Sequence, residues 1–199
     1  MTPHMLDFIR SAVWYINIPG PVLEIGSYIE AGQDHLDFRR VFPPHTPYLG
    51  MDVIEGPGVN RVASILQPEQ FMPVVEEQNP HVIFCLYVLE HIWEIRRAAK
   101  SLGDIWNRNR ESWLWIATHQ NQPFHGTSQY GDYWRVTASA MRLLMEEAGI
   151  LEPKIFVLDN TSNPPDILAI RQPISMSWPG AEFSKVVKVA EPIHWEQYC

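Results

Sequence analysis

The chain has 199 residues, of which 46% are hydrophobic and 12% aromatic, so it suits one folded domain with its own core and is short for two. Charged residues make up 19%, and this composition excludes an intrinsically disordered chain. The formal charge is −8, from 15 Lys+Arg against 23 Asp+Glu, and no long basic run occurs, which argues against binding of bulk nucleic acid.

The sequence shows no signal for a membrane span or for secretion. The longest uninterrupted apolar run, Val82 to Leu89, is far shorter than the roughly 20 residues that cross a bilayer. The first residues lack the basic and then apolar regions of a signal peptide. Cys85 and Cys199 form neither a disulfide framework nor a Cys-x-x-Cys pair. We therefore expect a cytoplasmic protein.

The first half of the chain predicts short strands separated by helices. A hydroxyl cap and a proline, Thr2-Pro3, begin a helix whose apolar residues recur at helical spacing until Pro19-Gly20. The elements that follow are a buried strand at Val22 to Ile25, a helix from Gln33 to Val41, a strand at Tyr48 to Val53, a weak strand at Arg61 to Ser64 and a helix that opens at Pro68.

The second half continues the alternation. The apolar run from His81 to Tyr87 is typical of a central parallel strand. An amphipathic helix with apolar residues from Ile92 to Trp106 follows, and Glu90 suits its N-terminus, where a negative charge is favourable. The remaining elements are a strand at Trp113 to Ala117, a helix capped by Thr137, and two strands, Phe156 to Leu158 and Ile167 to Ile170, around an Asn160–Pro165 turn.

This alternation predicts an α/β fold: a Rossmann-like, doubly wound, seven-stranded, mostly parallel sheet with helices on both faces. We expect a single domain over residues 1–171, on which the helix of residues 1–19 packs, and a tail over residues 172–199 that contains Pro and Trp. The tryptophans of this tail could form a homodimer surface or pack back on the domain. Ligands of such sheets bind beyond the carboxyl ends of the strands.

Two consecutive strand ends carry residues suited to a nucleotide-like ligand. Gly26 lets the backbone turn and approach a ligand where a Cβ would clash, and Glu24 can accept a hydrogen bond from a ligand amine or fix the loop. Asp52 ends the second strand, where an acid can accept from two neighbouring ribose hydroxyls. Either feature alone also occurs in ordinary strand ends, but the two together favour a binding site.

Three histidines are candidates for proton transfer. His91 follows the fourth strand, where it could line a pocket or pack locally at a helix start. His119 and His125 lie in a long stretch, Thr118 to Arg135, that is rich in polar and aromatic residues, and loops of this length are usually functional. Their spacing fits no usual metal-ligand pattern and no third His or Cys lies close in sequence, so the sequence predicts no metal site.

The order and spacing of several segments resemble class I S-adenosylmethionine (SAM)-dependent methyltransferases of the type 11 kind, over roughly residues 20–171. These segments are VLEIGS (22–27), YLGMDVIEGPGV (48–59), CLYVLEHI (85–92), HGTSQYGDYWRVT (125–137) and LLMEEAGI (143–150).

The resemblance implies SAM as the cofactor and assigns residues to its parts. The first loop would hold the methionine part, through Glu24, Gly26, Ser27, Tyr28 and Gly32. The other positions that the resemblance assigns follow later strands: Asp52 at the ribose, Val53, Ser64 and Ile65 around the adenine, and Leu86 and Tyr87 near the sulfonium.

The implied reaction is an in-line displacement that moves the methyl group to a small-molecule or sugar acceptor, at oxygen. A hydroxyl acceptor benefits from a base, and the candidates are His91, His119 and His125. Arg135 could hold an acceptor carboxylate or serve as a structural ion-pair partner, and we expect Tyr133 and Trp134 to be shared between core and pocket wall.

The chain also departs from this family's pattern. Tyr28 and Glu30 stand where the glycine loop usually has further glycines, and Ser64 and His81 stand where acids are frequent. These departures leave a second interpretation open, a non-catalytic protein of the same fold that acts as a binding partner or regulator. A nicotinamide-dependent dehydrogenase is disfavoured, because the first loop has only the first glycine of G-x-G-x-x-G.

Overall fold

The computed structural model describes residues 3–18, 20–160, 163–180 and 183. Thr2, Trp195 and Cys199, on which sequence predictions rest, lie outside these described residues.

Seven strands form one mostly parallel sheet, as the alternation predicted. The strands are β1 (Val22–Ile25), β2 (Tyr48–Asp52), β3 (Arg61–Val62), β4 (Val82–Leu86), β5 (Trp113–His119), β6 (Lys154–Asn160) and β7 (Asn163–Arg171). Their order is β3-β2-β1-β4-β5-β7-β6, and only β7 runs antiparallel to its neighbours. The strand order reverses between β1 and β4, which is where doubly wound sheets bind ligands.

Helices cover both faces of this sheet. They are α1 (Pro3–Ile16), α2 (Pro68–Gln78), α3 (Ile95–Arg108) and α4 (Ala138–Glu147). Helices α2, α3 and α4 pack on one set of alternating strand residues, including Ile83 and Leu114. Helix α1 packs on the alternate set, where Phe8 contacts Trp115 edge-on at 6.2 Å between ring centroids. Because successive side chains of a strand point to opposite faces, these are two separate cores.

The helix predicted from Gln33 to Val41 is wrong. Two short 3₁₀ turns, Asp34–Leu36 and Phe38–Val41, replace it. They are separated at Asp37, whose ψ of 104° is not helical and whose side chain accepts a hydrogen bond from the Arg39 N–H. Such local capping by Asp competes with the helical hydrogen bonds and interrupts the helix.

The predicted place of Glu90 at a helix N-terminus is also wrong. Residues Leu89–His91 form a separate 3₁₀ turn, Ile92 is extended, and α3 begins only at Ile95. Glu90 is therefore turned into the interior, where its side chain is fully buried. Strand β5 is longer than predicted and ends at His119, which takes that histidine out of the following loop.

No helix in the described ranges is both long and apolar enough to cross a bilayer.

Candidate functional site

A cavity of about 570 Å³ opens at the point where the strand order reverses. Many of the residues that the sequence singled out line its wall: Glu24, Gly26, Ser27, Tyr28, Asp52, Val53, Ser64, Ile65, Leu86, Tyr87, His91, His119, His125 and Tyr133. The ends of neighbouring strands thus converge on one site, as expected for a doubly wound sheet.

Glu24 is a buried carboxylate at the inner end of the cavity. It accepts a hydrogen bond from the Tyr48 hydroxyl at 2.5 Å. Burial raises its pKa from 4.5 to about 7, against the opposing effects of the Tyr48 hydrogen bond and the Arg39 charge. A carboxylate in this environment favours a cationic partner, since such a partner stabilises its charged form.

The loop after β1 begins with a glycine that it requires and with a serine whose hydroxyl has no hydrogen-bond partner among the described residues. Gly26 has a φ of +84°, and a Cβ there would lie 2.1 Å from Val88 Cγ2. The next hydroxyl, Ser27 Oγ, is buried and makes no hydrogen bond within the described residues. A buried hydroxyl without a partner is costly, so a polar ligand atom at this wall would stabilise it.

Asp52 connects the first two strand-end loops. Its Oδ2 accepts from the Tyr28 N–H at 3.0 Å and its Oδ1 from the Ile54 N–H at 3.1 Å. A carboxylate oxygen can accept more than one hydrogen bond, so both oxygens retain acceptor capacity toward the cavity.

The opposite wall of the cavity contains a histidine oriented by an aspartate. His119 Nδ1 lies 2.8 Å from Asp166 Oδ1, and the other Asp166 oxygen accepts from the Tyr87 hydroxyl at 2.7 Å. Strands β5 and β7 set this pair, since His119 and Asp166 are direct partners in their register. An ionised aspartate only accepts, so it fixes the proton on Nδ1 and leaves the Nε2 lone pair for another partner.

Tyr87, whose ring contacts His119 at a tilt of 33°, has a left-handed backbone. Its φ is +58°, and its ring lies 4.4 Å from the His119 ring between centroids. Left-handed non-glycine residues of this kind concentrate at functional sites.

Glu90, His91 and His125 form a compact cluster beside His119. One ligand atom from each of the three lies within 4.8 Å of the other two. Burial raises the pKa of Glu90 to about 7 and lowers that of His91 below its ordinary value. The sequence showed no third ligand close to His119 and His125, but the fold brings Glu90 and His91 there.

The loop between β5 and α4 lies over the cavity, is joined to the first loop by one hydrogen bond, and is braced internally by an ion pair. The Tyr130 hydroxyl donates to Glu30 of the first loop. Further along, Asp132 binds the Arg135 guanidinium through both oxygens, at 2.6 and 2.7 Å, and these hydrogen bonds hold the pKa of Asp132 well below its ordinary value.

Three predicted site residues do not line the cavity. Arg135 is occupied by Asp132 and by the Gln122 and Pro123 carbonyls, so it acts as the structural ion-pair partner. Trp134 donates to the Ile92 carbonyl and packs on the core. Gly32 has a φ of +82° in open space, with no atom within 4 Å of the position its Cβ would take.

Several residues of this site were missed by the sequence interpretation. Asp166 lies within β7, away from the strand ends at which the sequence predicts ligand contacts, and the sequence marks Tyr130 only as a member of a polar loop. Trp93 lines the mouth of the cavity, is 67% exposed, and stacks on Trp134. The sequence gives no sign that Trp93 lies at a pocket mouth, because its position relative to the apolar residues of the following helix indicates only that it faces solvent.

No protein-family model and no curated protein matches the chain. Solved structures do. The N-terminal domain of EvdMO1 with SAH bound has a TM-score of 0.54 at 17% identity, over 84% of this chain and 81% of that domain. The trans-methyltransferase CalH in complex with SAH scores 0.55 at 12% identity, over 83% and 57%. A SAM-dependent methyltransferase from Archaeoglobus fulgidus scores 0.52 at 12% identity, over 83% and 93%.

The chain has the class I SAM-dependent methyltransferase fold. The chain spans only part of some longer proteins that contain this fold: 57% of CalH and 41% of the full EvdMO1 chain. The fold confirms the sheet and topology that the sequence predicted.

Proposed function

We propose that the protein is a SAM-dependent methyltransferase that methylates a hydroxyl of a small-molecule or sugar acceptor. The observation that supports this function best is the pairing, in one cavity, of two acids at the ends of β1 and β2 with an aspartate-oriented histidine at the end of β5. The structural neighbours with SAH bound, the demethylated form of SAM, support the cofactor.

The residues of the β1–β2 end fit SAM. Glu24 offers a buried carboxylate to the ammonium of its methionine part, and the unpartnered Ser27 Oγ offers a further polar contact. Asp52 has acceptor capacity for two ribose hydroxyls. When bound, SAM supplies a methyl carbon activated by its sulfonium.

The β4–β5 end would position and deprotonate the acceptor. His119 Nε2 would take the proton of the acceptor hydroxyl as the acceptor oxygen displaces the sulfur and receives the methyl group, the electron pair of the broken bond staying on sulfur. Asp166 stabilises the imidazolium that results, because it already accepts from Nδ1. Trp93 and Tyr133 offer exposed aromatic faces at the mouth on which the apolar face of a sugar can stack.

Calorimetric titration of SAM into the wild type and into Asp52→Ala tests the cofactor half of this proposal, with NAD as the control ligand. Loss of a charge-assisted acceptor is worth about 1.5–3 kcal/mol, so we expect binding to weaken about tenfold or more. Asp7→Ala, an exposed change on α1, should bind like the wild type. A folded wild type that binds no SAM would contradict the proposal and favour a non-catalytic protein of this fold.

A further inference from the structure

A buried carboxylate oxygen without a hydrogen-bond partner lies next to the cavity, in the residue that precedes the cavity-lining His91. Glu90 is fully buried, and its Oε2 accepts from the Thr118 hydroxyl at 3.0 Å. Its Oε1 is buried too and makes no hydrogen bond within the described residues, and His119 Nε2 lies 3.9 Å from it. A buried carboxylate oxygen is costly unless it is paired or coordinates a metal.

Two imidazoles stand beside the Glu90 carboxylate. The rings of His91 and His125 lie 5.0 Å apart between centroids and are nearly perpendicular, at 81°. One ligand atom of each lies within 4.8 Å of the Glu90 ligand atom and of the other. Three atoms that bind one ion at about 2.1 Å in a tetrahedral arrangement lie about 3.4 Å from one another. The three side chains would therefore close in by up to about 1.4 Å to bind one ion together.

Both imidazoles have their Nδ1 atoms fixed from behind. His91 Nδ1 lies 2.6 Å from the Gly131 carbonyl oxygen, and His125 Nδ1 lies 3.0 Å from the Pro123 carbonyl oxygen. A carbonyl oxygen only accepts, so each Nδ1 carries the proton and each Nε2 keeps its lone pair. Metal-binding histidines show this arrangement, in which the ring N–H donates to a carbonyl or a carboxylate.

The loop that supplies His125 is itself held in place. Asp132 accepts from the His125 backbone N–H at 2.9 Å and lies 3.3 Å from His125 Nδ1, while Arg135 binds both of its oxygens. This bracing positions a residue that a free loop would leave mobile.

We propose that Glu90, His91 and His125 bind one divalent transition-metal ion at the acceptor end of the cavity. Two imidazoles and one carboxylate suit Zn²⁺ or Co²⁺, whereas Mg²⁺ and Ca²⁺ prefer all-oxygen sites. The role of the ion rests on the proposed function: bound to the acceptor oxygen, it lowers the pKa of the hydroxyl whose proton passes to His119. Binding of the ion itself does not depend on that function.

The test is a titration of the chelator-treated full chain with Co²⁺ alone, followed by visible absorption, and with Zn²⁺ by calorimetry. We expect one ion per chain and a visible spectrum typical of nitrogen and oxygen ligands. His125→Ala, in a half-buried loop residue, should weaken binding by about tenfold or more, as should Glu90→Gln. His45→Ala, an exposed histidine outside the cavity, should leave the affinity unchanged.

The outcomes separate this proposal from the methyltransferase proposal. Absence of Co²⁺ binding by the folded wild type, or equal affinity in the wild type and His125→Ala, overturns the metal site. SAM titrated into the same chelator-treated protein reports on the cofactor end alone. Metal binding without SAM binding keeps the metal site and refutes the enzyme, while the reverse result refutes only the metal site.

Discussion

The two ends of the cavity are built from different kinds of chain segment. At the β1–β2 end, Glu24 is the penultimate residue of one parallel strand and Asp52 the last of its neighbour, so the pairing of those strands brings both to one edge. At the β4–β5 end, His119 meets Asp166 across an antiparallel pair, and His91 meets His125 across a loop. The first end follows from a rule about strand ends, whereas the second depends on contacts between distant segments.

The largest expected effect is on kcat, and it comes from a substitution at the β4–β5 end of the cavity alone. Replacing the proposed base by His119→Ala should lower kcat by roughly 10²–10⁴, since general-base catalysis contributes about that much. The Kd for SAM should stay unchanged, because the role proposed for His119 is at the acceptor. Steady-state kinetics and calorimetry on the same preparation measure both, with His45→Ala as the control. If His119→Ala weakened SAM binding by the same factor as it lowered kcat, the two ends of the cavity would not be independent.

The second prediction concerns the charge of Glu24 at the cofactor end. Its pKa is raised from 4.5 in the unfolded chain to about 7 by burial, with Tyr48, Arg39, Asp37 and Asp52 facing it. The folded state therefore binds this proton more tightly than the unfolded chain does. The resulting contribution of Glu24 to the free energy of unfolding is complete below pH 4.5 and is lost as pH rises to about 7. The full shift corresponds to about 3 kcal/mol of free energy of unfolding.

Glu24→Gln isolates this contribution. Urea unfolding at pH 5 and at pH 8 should show a steeper loss of stability in the wild type than in the variant. The variant should also bind SAM more weakly at pH 8, where the wild-type carboxylate is charged and available to the ammonium. Identical pH dependence of unfolding in the two proteins would show that Glu24 is not shifted.

The third prediction uses two glycines of the same loop as a matched pair. Gly26 and Gly32 both have left-handed φ angles, of +84° and +82°, so Ala costs backbone energy of about 1–2 kcal/mol at either site. Only at Gly26 does the new Cβ also meet Val88, 2.1 Å away. We expect Gly26→Ala to lower the free energy of unfolding further than Gly32→Ala and to abolish SAM binding. Equal effects of the two changes on stability would contradict the close approach at Gly26.

The smallest effect should come from the contact that joins the two ends. Tyr130→Phe removes the hydroxyl that donates to Glu30 and leaves the ring beside His91, at 4.5 Å between centroids. One hydrogen bond at this partly exposed site is worth about 0.5–1.5 kcal/mol, so the KM for the acceptor should rise about two- to tenfold. Ser128→Ala, an exposed residue of the same loop outside the cavity lining, serves as a control. An unchanged KM in Tyr130→Phe would show that loop closure does not contribute to acceptor binding.

The convergence of Glu24 and Asp52 on one cavity could be predicted because its signals are local. An apolar run that ends in Glu-Ile-Gly, and another that ends in Asp, mark strand ends whatever surrounds them. The predictions were wrong where a local sequence pattern was compatible with two different structures. The segment from Gln33 to Val41 has helical spacing, but the Asp37 side chain caps the chain midway. Glu90 suited a helix start by charge, but the turn at Leu89–His91 directs it inward.

The sequence by itself determined the alternation of strands and helices, the sheet that follows from it, and the two acids at its edge, because hydrophobic period and strand ends are properties of short segments. Only the tertiary structure decided which histidine has an aspartate behind it, which arginine is occupied, and which carboxylate is left with an unpartnered oxygen. Those facts depend on pairs such as His119 and Asp166, which lie far apart in the chain and become neighbours only through the register of β5 on β7.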